Sequence, residues 1–272
     1  MKKRIKISIV GAAGKMGSQI ALQVLNSEIF ELVGVIEAKG SQSLGKDIAS
    51  IIGIDKTGIT ITEDSLGCVL NSDAIIDFSS PNSTVAICEL TAQARKVHVI
   101  GTTGFSDRQE DQILAASRHA TIIKSGNMSL GINALLGSIE KLSGVLDDSW
   151  DIEISDMHHK HKADSPSGTA LDLAEAAASG RGVDLESVKD IARNGNALKR
   201  KDGDIGIVSL RGGSVIGDHS VIFAGDGERV VLSHFAENRN IFVKGALRSA
   251  QWGIDKGPGL FSTKDVLGFN KL

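Results

Sequence analysis

The most constraining feature of this 272-residue chain lies at its start. A short β-branched run, Ile5–Val10, leads directly into Gly11-Ala12-Ala13-Gly14-Lys15-Met16-Gly17, and Met16, Ile20, Ala21, Val24 and Leu25 then recur at helical spacing. Strand, glycine turn and amphipathic helix, in that order, open a βαβ unit. The three glycines serve different ends. Gly11 permits the tight turn, Gly14 lets backbone N–H groups approach a pyrophosphate, and Gly17 lets the helix pack close to the sheet. The helix N-terminus then turns unpaired donors and the positive end of its dipole toward the phosphates.

A second strand, Glu31–Ile36, ends at Glu37. A dinucleotide fold places at this point the acid that holds the adenosine ribose hydroxyls. The spacing is G-x-x-G-x-x-G, with Ala13 where the usual fingerprint has its middle glycine. The alternation then continues: strand Ala74–Phe78, helix Ser83–Lys96, strand Val97–Ile100, helix Ser106–His119 with Ser106 as N-cap, and strand Ala120–Lys124. Repeated β-α-β-α predicts a parallel sheet covered on both faces, with ligands beyond the carboxyl ends of its strands. Three loops fall at those ends, Ser79-Ser80, Gly101–Phe105 and Ser125–Met128, and as a set their small and hydroxyl residues favour a cofactor cleft.

The pattern changes after Met128. Ser129–Leu142 reads as a helix, Trp150–Met157 as a strand, Ser165–Ser179 as a helix and Asp184–Lys201 as a polar segment with a helical turn or two. Strands follow at Ile205–Arg211, Val215–Ile216, His219–Phe223 and Arg229–Phe235, separated by glycine-rich turns that predict short antiparallel connections. Ile241–Gly253 reads as a helix that returns to the first domain. The expected fold class is therefore α/β: a Rossmann-like dinucleotide-binding domain over residues 1–128 and 240–272, with a parallel sheet. A second α+β domain with a mixed or antiparallel sheet is expected over 129–239, for substrate binding and oligomerisation.

Composition narrows the function. A net charge of −3 argues against a nucleic-acid partner. The one compact basic run away from the histidines, Lys199-Arg200-Lys201, reads as a solvated loop. Cys68 and Cys88 sit in apolar stretches without metal or redox spacing, as in a reduced cytosolic protein. The basic start, Met1-Lys2-Lys3-Arg4, lacks the apolar core of a signal peptide, and no stretch is long and apolar enough to span a membrane. A cytoplasmic protein is expected.

The second domain carries the densest chemistry. Asp151–Leu173 holds three of the seven histidines, His158, His159 and His161, interleaved with Lys160 and Lys162 and followed by Ser165-Pro166-Ser167-Gly168-Thr169. Zinc must be weighed first, because His158 and His161 are spaced to share a ligand role. The adjacent lysines would repel a cation, and no cysteine or E-x-x-H pattern completes a set. No metal is expected. Proton transfer and anion binding suit these residue types better. Ser165 fits an N-cap and Pro166 the first helical position, leaving N–H groups around Gly168 and Thr169 for a carboxylate. A small anionic substrate in one domain and a dinucleotide in the other describe a reductase, with domain closure expected to bring the two halves together.

The stretch H-H-K-H-K-A-D-S-P-S-G-T-A resembles the signature of the dihydrodipicolinate reductase (4-hydroxy-tetrahydrodipicolinate reductase) family. The similarity extends along the chain through V-G-A-A-G-K-M-G, D-F-S-S-P, V-I-G-T-T-G-F, S-G-N-M-S, G-D-G-E-R and L-F-S-T-K-D-V-L. The resemblance implies reduction of 4-hydroxy-tetrahydrodipicolinate by NADH or NADPH, with loss of water, in the diaminopimelate route to lysine. It implies His158 as proton donor or acceptor, Lys162 as proton donor, and His159, Gly168 and Thr169 as substrate contacts. Cofactor contacts carry over to Gly11, Ala12, Ala13, Gly14, Lys15, Met16, Glu37, Gly101, Thr102, Thr103, Ser125, Gly126, Asn127 and Met128. A homotetramer is also implied. One departure bears on the cofactor: some relatives carry arginine after the ribose-binding acid, whereas here the order is Glu37-Ala38-Lys39. NADH is expected to be preferred and NADPH tolerated. Two rivals stay open at this point, a homoserine- or aspartate-type dehydrogenase and a dinucleotide sensor without turnover.

Overall fold

Short β-branched runs cannot bury both faces alone, and here they assemble into two sheets, each with its own core. The structure, a computed structural model, describes residues 3–191 and 199–269. The part of the expected polar segment that falls at 192–198, and Met1 and Lys2 of the basic start, lie outside the described residues. The chain divides into two units, Met1–Leu130 with Asn240–Leu272, and Gly131–Arg239.

The first unit begins β1 (Ile5–Val10), α1 (Lys15–Leu25), β2 (Phe30–Ile36), α2 (Ala49–Ile52), α3 (Ser65–Asn71), β3 (Ala74–Asp77), α4 (Pro81–Ala94), β4 (Val97–Ile100), α5 (Asp107–Ala116) and β5 (Thr121–Lys124). The second unit holds α6 (Leu130–Val145), β6 (Asp151–His158), α7 (Gly168–Arg181), α8 (Leu185–Val188), β7 (Lys189–Asp190), β8 (Ile205–Arg211), β9 (Asp218–Gly225) and β10 (Glu228–Phe235). The chain then returns to the first unit with α9 (Asn240–Gly253), β11 (Gly259–Phe261) and α10 (Thr263–Leu267).

The first sheet is six-stranded, in the order β11-β5-β4-β3-β1-β2, and all its pairs are parallel. β3 and β4 are buried along their whole length, as strands covered on both faces must be. Ser106 is the N-cap of α5 as expected, and its amide donates to Gln109 Oε1 at 2.9 Å, part of a capping box. β2 lies on one side of β1 and β3 on the other, so the strand order reverses at the glycine turn. That reversal opens a crevice at the carboxyl ends of β1 and β3. Gly17 is fully packed there: a Cβ at this position would lie 2.2 Å from the Gly11 carbonyl oxygen. Gly17→Ala must push α1 off the strand end, and the expected cost is about 1–3 kcal/mol. A thermal unfolding curve unchanged from the parent would contradict this packing.

The second sheet is five-stranded, in the order β10-β9-β6-β8-β7, with β6 at its centre. It is mixed: β6 runs parallel to β8 and antiparallel to β9. The expected chain of antiparallel connections is therefore corrected, because β8 and β9 flank β6 and do not pair with each other. Among the described residues only β9 and β10 form a hairpin. Val215–Ile216 is not a strand and belongs to the connection that crosses the end of β6. Arg200 is also not solvated as expected: it pairs with Asp151 at 2.8 Å and Glu153 at 3.1 Å, tying its segment to β6.

Along β6, Ile152, Ile154, Asp156 and His158 alternate inward, facing a core that includes Leu135, Leu136 and Ile139 of α6 and Leu173, Ala174 and Ala177 of α7. The two helices approach closely through small residues. A Cβ on Gly180 would lie 2.2 Å from the Glu140 carbonyl oxygen, and Ser143 Oγ donates to the Ala177 carbonyl at 2.7 Å. This contact fixes α7, and with it the position of its N-terminus. Among the described residues no helix is long and apolar enough to cross a membrane, and Cys68 and Cys88 are buried free thiols.

Candidate active site

In the second unit the period-two alternation of β6 delivers a buried aspartate and a buried histidine to one corner. Asp156 is fully buried among isoleucines, and two hydrogen bonds hold its oxygens with the His158 ring close by. Arg211 Nη1 donates to Oδ1 at 3.0 Å, the Ser167 amide donates to Oδ2 at 2.9 Å, and His158 Nδ1 lies 3.6 Å from Oδ2. Burial alone would raise the Asp156 pKa. The hydrogen bonds from Ser167 and the Arg211 guanidinium outweigh it and bring the group down to about 2. Arg211 also donates to the Asp164 carbonyl at 2.7 Å, so one side chain links the strand to the loop behind the histidines.

The helix that follows starts later than expected. The N-cap of α7 is Ser167, not Ser165, and Pro166 precedes the helix instead of opening it. Asp156 takes the Ser167 amide and holds Ser167 in extended backbone, which aims its Oγ at the Ala170 amide, 3.1 Å away. Gly168 and Thr169 then form the first two helical positions. A Cβ added at Gly168 would meet no atom within 4 Å, so the space over this helix end is open. No acid lies in the first turn of α7, leaving the positive end of its dipole unneutralised by a side chain of that turn.

His158 is buried at the strand end, whereas His159 and Lys162 are half-buried and Lys160 and His161 exposed. The Lys162 amide donates to the His159 carbonyl at 3.1 Å, folding the loop back, and Lys162 Nζ meets Asp164 at 2.8 Å. Burial, then the Lys162 charge, lower the His158 pKa against the pull of Asp156. His219 stands across the ladder from Asp156, with its ring edge-on to His158 at 5.2 Å between centroids and Nε2 3.3 Å from Ser167 Oγ. Burial, together with the neighbouring His158, pushes His219 down to about 4. Both rings are therefore neutral near pH 7.

Asp156, His158 and His219 present ligand atoms within 4.8 Å of one another, the closest approach to a metal set among the described residues. Arg211 already occupies one Asp156 oxygen, and the charges of Lys162 and Arg211 that disfavour protonation of His158 oppose a cation in the same way. The donor set does not fit a resident metal.

Sequence reasoning ranks neither Asp156 nor Arg211 and leaves His219 undecided. A signal for Asp156 exists in the alternation Ile152, Ile154, Asp156, because a carboxylate on the apolar face of a strand must find buried partners. Arg211 and His219 come from other strands, and no local pattern announces them.

In the first unit, a cleft of 800 Å³ opens at the strand-order reversal, lined by Gly11, Ala13, Gly14, Glu37, Lys39, Ser79 and Ser80 among others. Glu37 Oε1 accepts the Ala13 amide at 2.8 Å, so the acid that ends β2 also holds the glycine turn in shape. α1 begins behind Gly14 with no side-chain cap and no acid in its first turn. Its donors suit a phosphate. The expected contacts do not all line this cleft through their side chains: Ala12 and Met128 are buried in the core and Met16 packs against it. Lys15 is exposed. Thr102 is buried at the end of β4, where its Oγ1 takes the Ser79 amide at 3.1 Å. Gly101 and Thr103 flank it, and Gly126 lies beside Thr103, so the loops after β4 and β5 are neighbours. Ser125 Oγ donates to the Asn127 carbonyl at 2.7 Å, closing the loop that leads to Met128.

Comparison with known proteins resolves the family. Residues 5–128 match the family described as Dihydrodipicolinate reductase, N-terminus, and residues 131–267 match Dihydrodipicolinate reductase, C-terminus. The chain belongs to the dihydrodipicolinate reductase family. A 4-hydroxy-tetrahydrodipicolinate reductase from Parvibaculum lavamentivorans is 53% identical over 269 residues, 98% of this chain and 99% of its own. One from Dinoroseobacter shibae is 50% identical over 262 residues, 96% of this chain and 97% of its own. Among solved structures, the dipicolinate-bound dihydrodipicolinate reductase from Paenisporosarcina sp. TG-14 superposes with a TM-score of 0.77 at 26% identity, covering 96% of this chain and 98% of that one. The expected fold class, a Rossmann-like parallel sheet followed by a second mixed sheet, is that of the family. A reductase of this fold draws its electrons from a nicotinamide dinucleotide, and the glycine turn, Glu37 and the uncapped α1 fit one.

Proposed function

We propose that this chain is a 4-hydroxy-tetrahydrodipicolinate reductase, reducing 4-hydroxy-tetrahydrodipicolinate to tetrahydrodipicolinate with loss of water, in lysine and diaminopimelate biosynthesis in the cytoplasm. Residues 1–128 with 240–272 serve as its dinucleotide-binding domain and residues 129–239 as its substrate-binding and oligomerisation domain. The observation that carries the reading is the corner built by β6, the histidine loop and α7, where an open helix N-terminus, a lysine and two neutral histidines surround one buried carboxylate. A small dicarboxylate is the substrate that such a corner suits.

NADH or NADPH, when bound, supplies the hydride. The chain's own residues handle charge and protons. The Gly168 and Thr169 amides at the start of α7 take one substrate carboxylate, with His159 as a further contact. Lys162 gives the proton that the enamine left by reduction takes up at the neighbouring carbon. His158 enters neutral, because burial and the Lys162 charge hold its pKa down, and it accepts or relays a proton instead of starting with one. The positive charges of Lys162 and Arg211 steady negative charge as it develops. Gly11–Met16, Glu37, Gly101–Thr103 and Ser125–Met128 hold the dinucleotide.

Glu37 sets the cofactor preference. Its carboxylate lines the cleft and would repel a 2′-phosphate, while Lys39, also in the lining, offers only a point charge in compensation. NADH is expected to give the higher kcat/KM, and a preference for NADPH by about tenfold or more would refute this assignment. The outer face of the second sheet carries exposed Val208, Leu210, Val231 and Phe235, which supports assembly into a homotetramer through that face. The activity is tested by following NADH absorbance with substrate freshly made from pyruvate and aspartate semialdehyde. Loss of absorbance that depends on both substrate and enzyme is expected. Nucleotide binding without turnover would point to a sensor instead.

A further inference from the structure

A second buried carboxylate lies in the first unit, away from the His158 corner. Asp77 is the last residue of β3 and His98 lies inside the neighbouring strand β4, and both are fully buried. His98 Nε2 stands 3.4 Å from Asp77 Oδ2. On its other nitrogen, Nδ1, the His98 ring meets Cys88 Sγ and Thr91 Oγ1 of α4, each at 3.5 Å. The second oxygen of Asp77 points the opposite way, toward the cleft. Oδ1 accepts the Ser79 amide at 2.9 Å, the Ser79 hydroxyl at 2.6 Å and the Thr102 hydroxyl at 3.4 Å.

That turn is in direct contact with the glycine turn. A Cβ on Gly11 would lie 2.7 Å from the Phe78 carbonyl oxygen, so the Phe78–Ser79 backbone forms the wall against which Gly11 is packed. Any movement of Ser79 moves that wall. Ser79 and Gly11 both line the cleft, whereas Asp77 and His98 do not.

We infer that Asp77 and His98 are positioning residues for the dinucleotide, a buried pair that clamps the Ser79 turn and Thr102 and through them holds the glycine turn in its binding shape. Two observations carry this. A carboxylate with no exposure that accepts three donors on one oxygen still needs a polar partner for its other, equally buried oxygen. Among the described residues, His98 is the partner with which Asp77 is paired. Burial opposes a charge on His98, and the neighbouring Cys88 sulfur and Asp77 carboxylate outweigh it and raise its pKa to about 9. The pair thus supplies from inside the sheet what the Ser79 turn needs at its edge.

The inference rests on the reading of the cleft as a dinucleotide site, and the experiment separates the two. The dissociation constant for NADH is measured by fluorescence titration for the parent, Asp77→Asn, His98→Leu, the double variant and Ser79→Ala, with melting temperatures alongside. Each of the two buried substitutions is expected to weaken NADH roughly tenfold or more, the worth of a hydrogen bond to a charged group. The double variant is expected to lose little beyond either single one, because both act through one pair. In steady state, the KM for NADH should rise while kcat at saturating NADH and the KM of the second substrate hold. Parental NADH affinity in folded Asp77→Asn and His98→Leu overturns the inference, as does an equal rise in both KM values, which would mark a general loss of structure. If neither buried variant folds, Ser79→Ala decides: a several-fold weaker complex supports the clamp and unchanged affinity overturns it. A parent protein that binds neither NADH nor NADPH removes the dinucleotide reading and the inference together.

Discussion

Lys162→Ala is expected to lower kcat by roughly 10²–10⁴-fold, the usual worth of a positioned general acid, with a smaller change in NADH affinity. His158→Ala is expected to fall in the same range. The two differ in how they should respond to conservative replacement. Lys162→Arg keeps a positive charge beside Asp164 but cannot release a proton at working pH, so substrate affinity should survive while turnover does not. Restoring turnover with arginine would show that Lys162 acts by charge alone. Asp164→Asn should be mild, because its side chain is 60% exposed and an exposed ion pair is worth less than about 1 kcal/mol. Near-normal turnover in both Lys162→Ala and His158→Ala would remove the proposed chemistry altogether.

Asp156→Ala is expected to be the most damaging single change to the second unit. It strips Arg211 of its buried partner, removes the acceptor that holds the Ser167 amide and leaves His158 without its carboxylate neighbour. Removing one member of a buried pair costs about 3–5 kcal/mol. Turnover should fall as well, because α7 then loses the contact that sets its N-cap. The same residue predicts a pH dependence. The folded pKa of about 2 lies below the ordinary value of 3.8, so the stabilisation from Asp156 is complete above pH 3.8 and is lost as pH falls through about 2. The difference corresponds to roughly 2–3 kcal/mol. Urea unfolding of the parent across that acid range should lose this amount, and Asp156→Asn, which has no carboxylate to titrate, should lose less. Identical acid limbs for the two proteins would mean that Asp156 is not the group responsible.

Several features are legible in the amino-acid sequence because their chemistry is contiguous. The turn from Gly11 to Gly17 announces a strand-to-helix passage by the steric needs of its own residues, and Glu37 follows at the end of the next strand. The run His158–Lys162 and the Ser-Pro-Ser-Gly-Thr turn are dense enough to mark a site before any fold is known. Even so, the local pattern places the N-cap two residues too early. Ser165 and Ser167 are equivalent as local caps, and the choice is made by Asp156, which seizes the Ser167 amide from a neighbouring strand.

Tertiary structure decided whatever depends on which strands lie side by side. Turn signals between β8 and β9 look like those of a hairpin. The pairing instead inserts β6 between them, because β6 carries the apolar face that the two helices cover on the inside of the sheet. That insertion sets Arg211 beside His158 in the parallel ladder and His219 opposite Asp156 in the antiparallel one. Asp77 and His98 follow the same logic in the first unit. In the sequence each is a single polar residue at the edge of, or inside, an apolar run. Adjacent strands buried on both faces leave each of them the other as its polar partner.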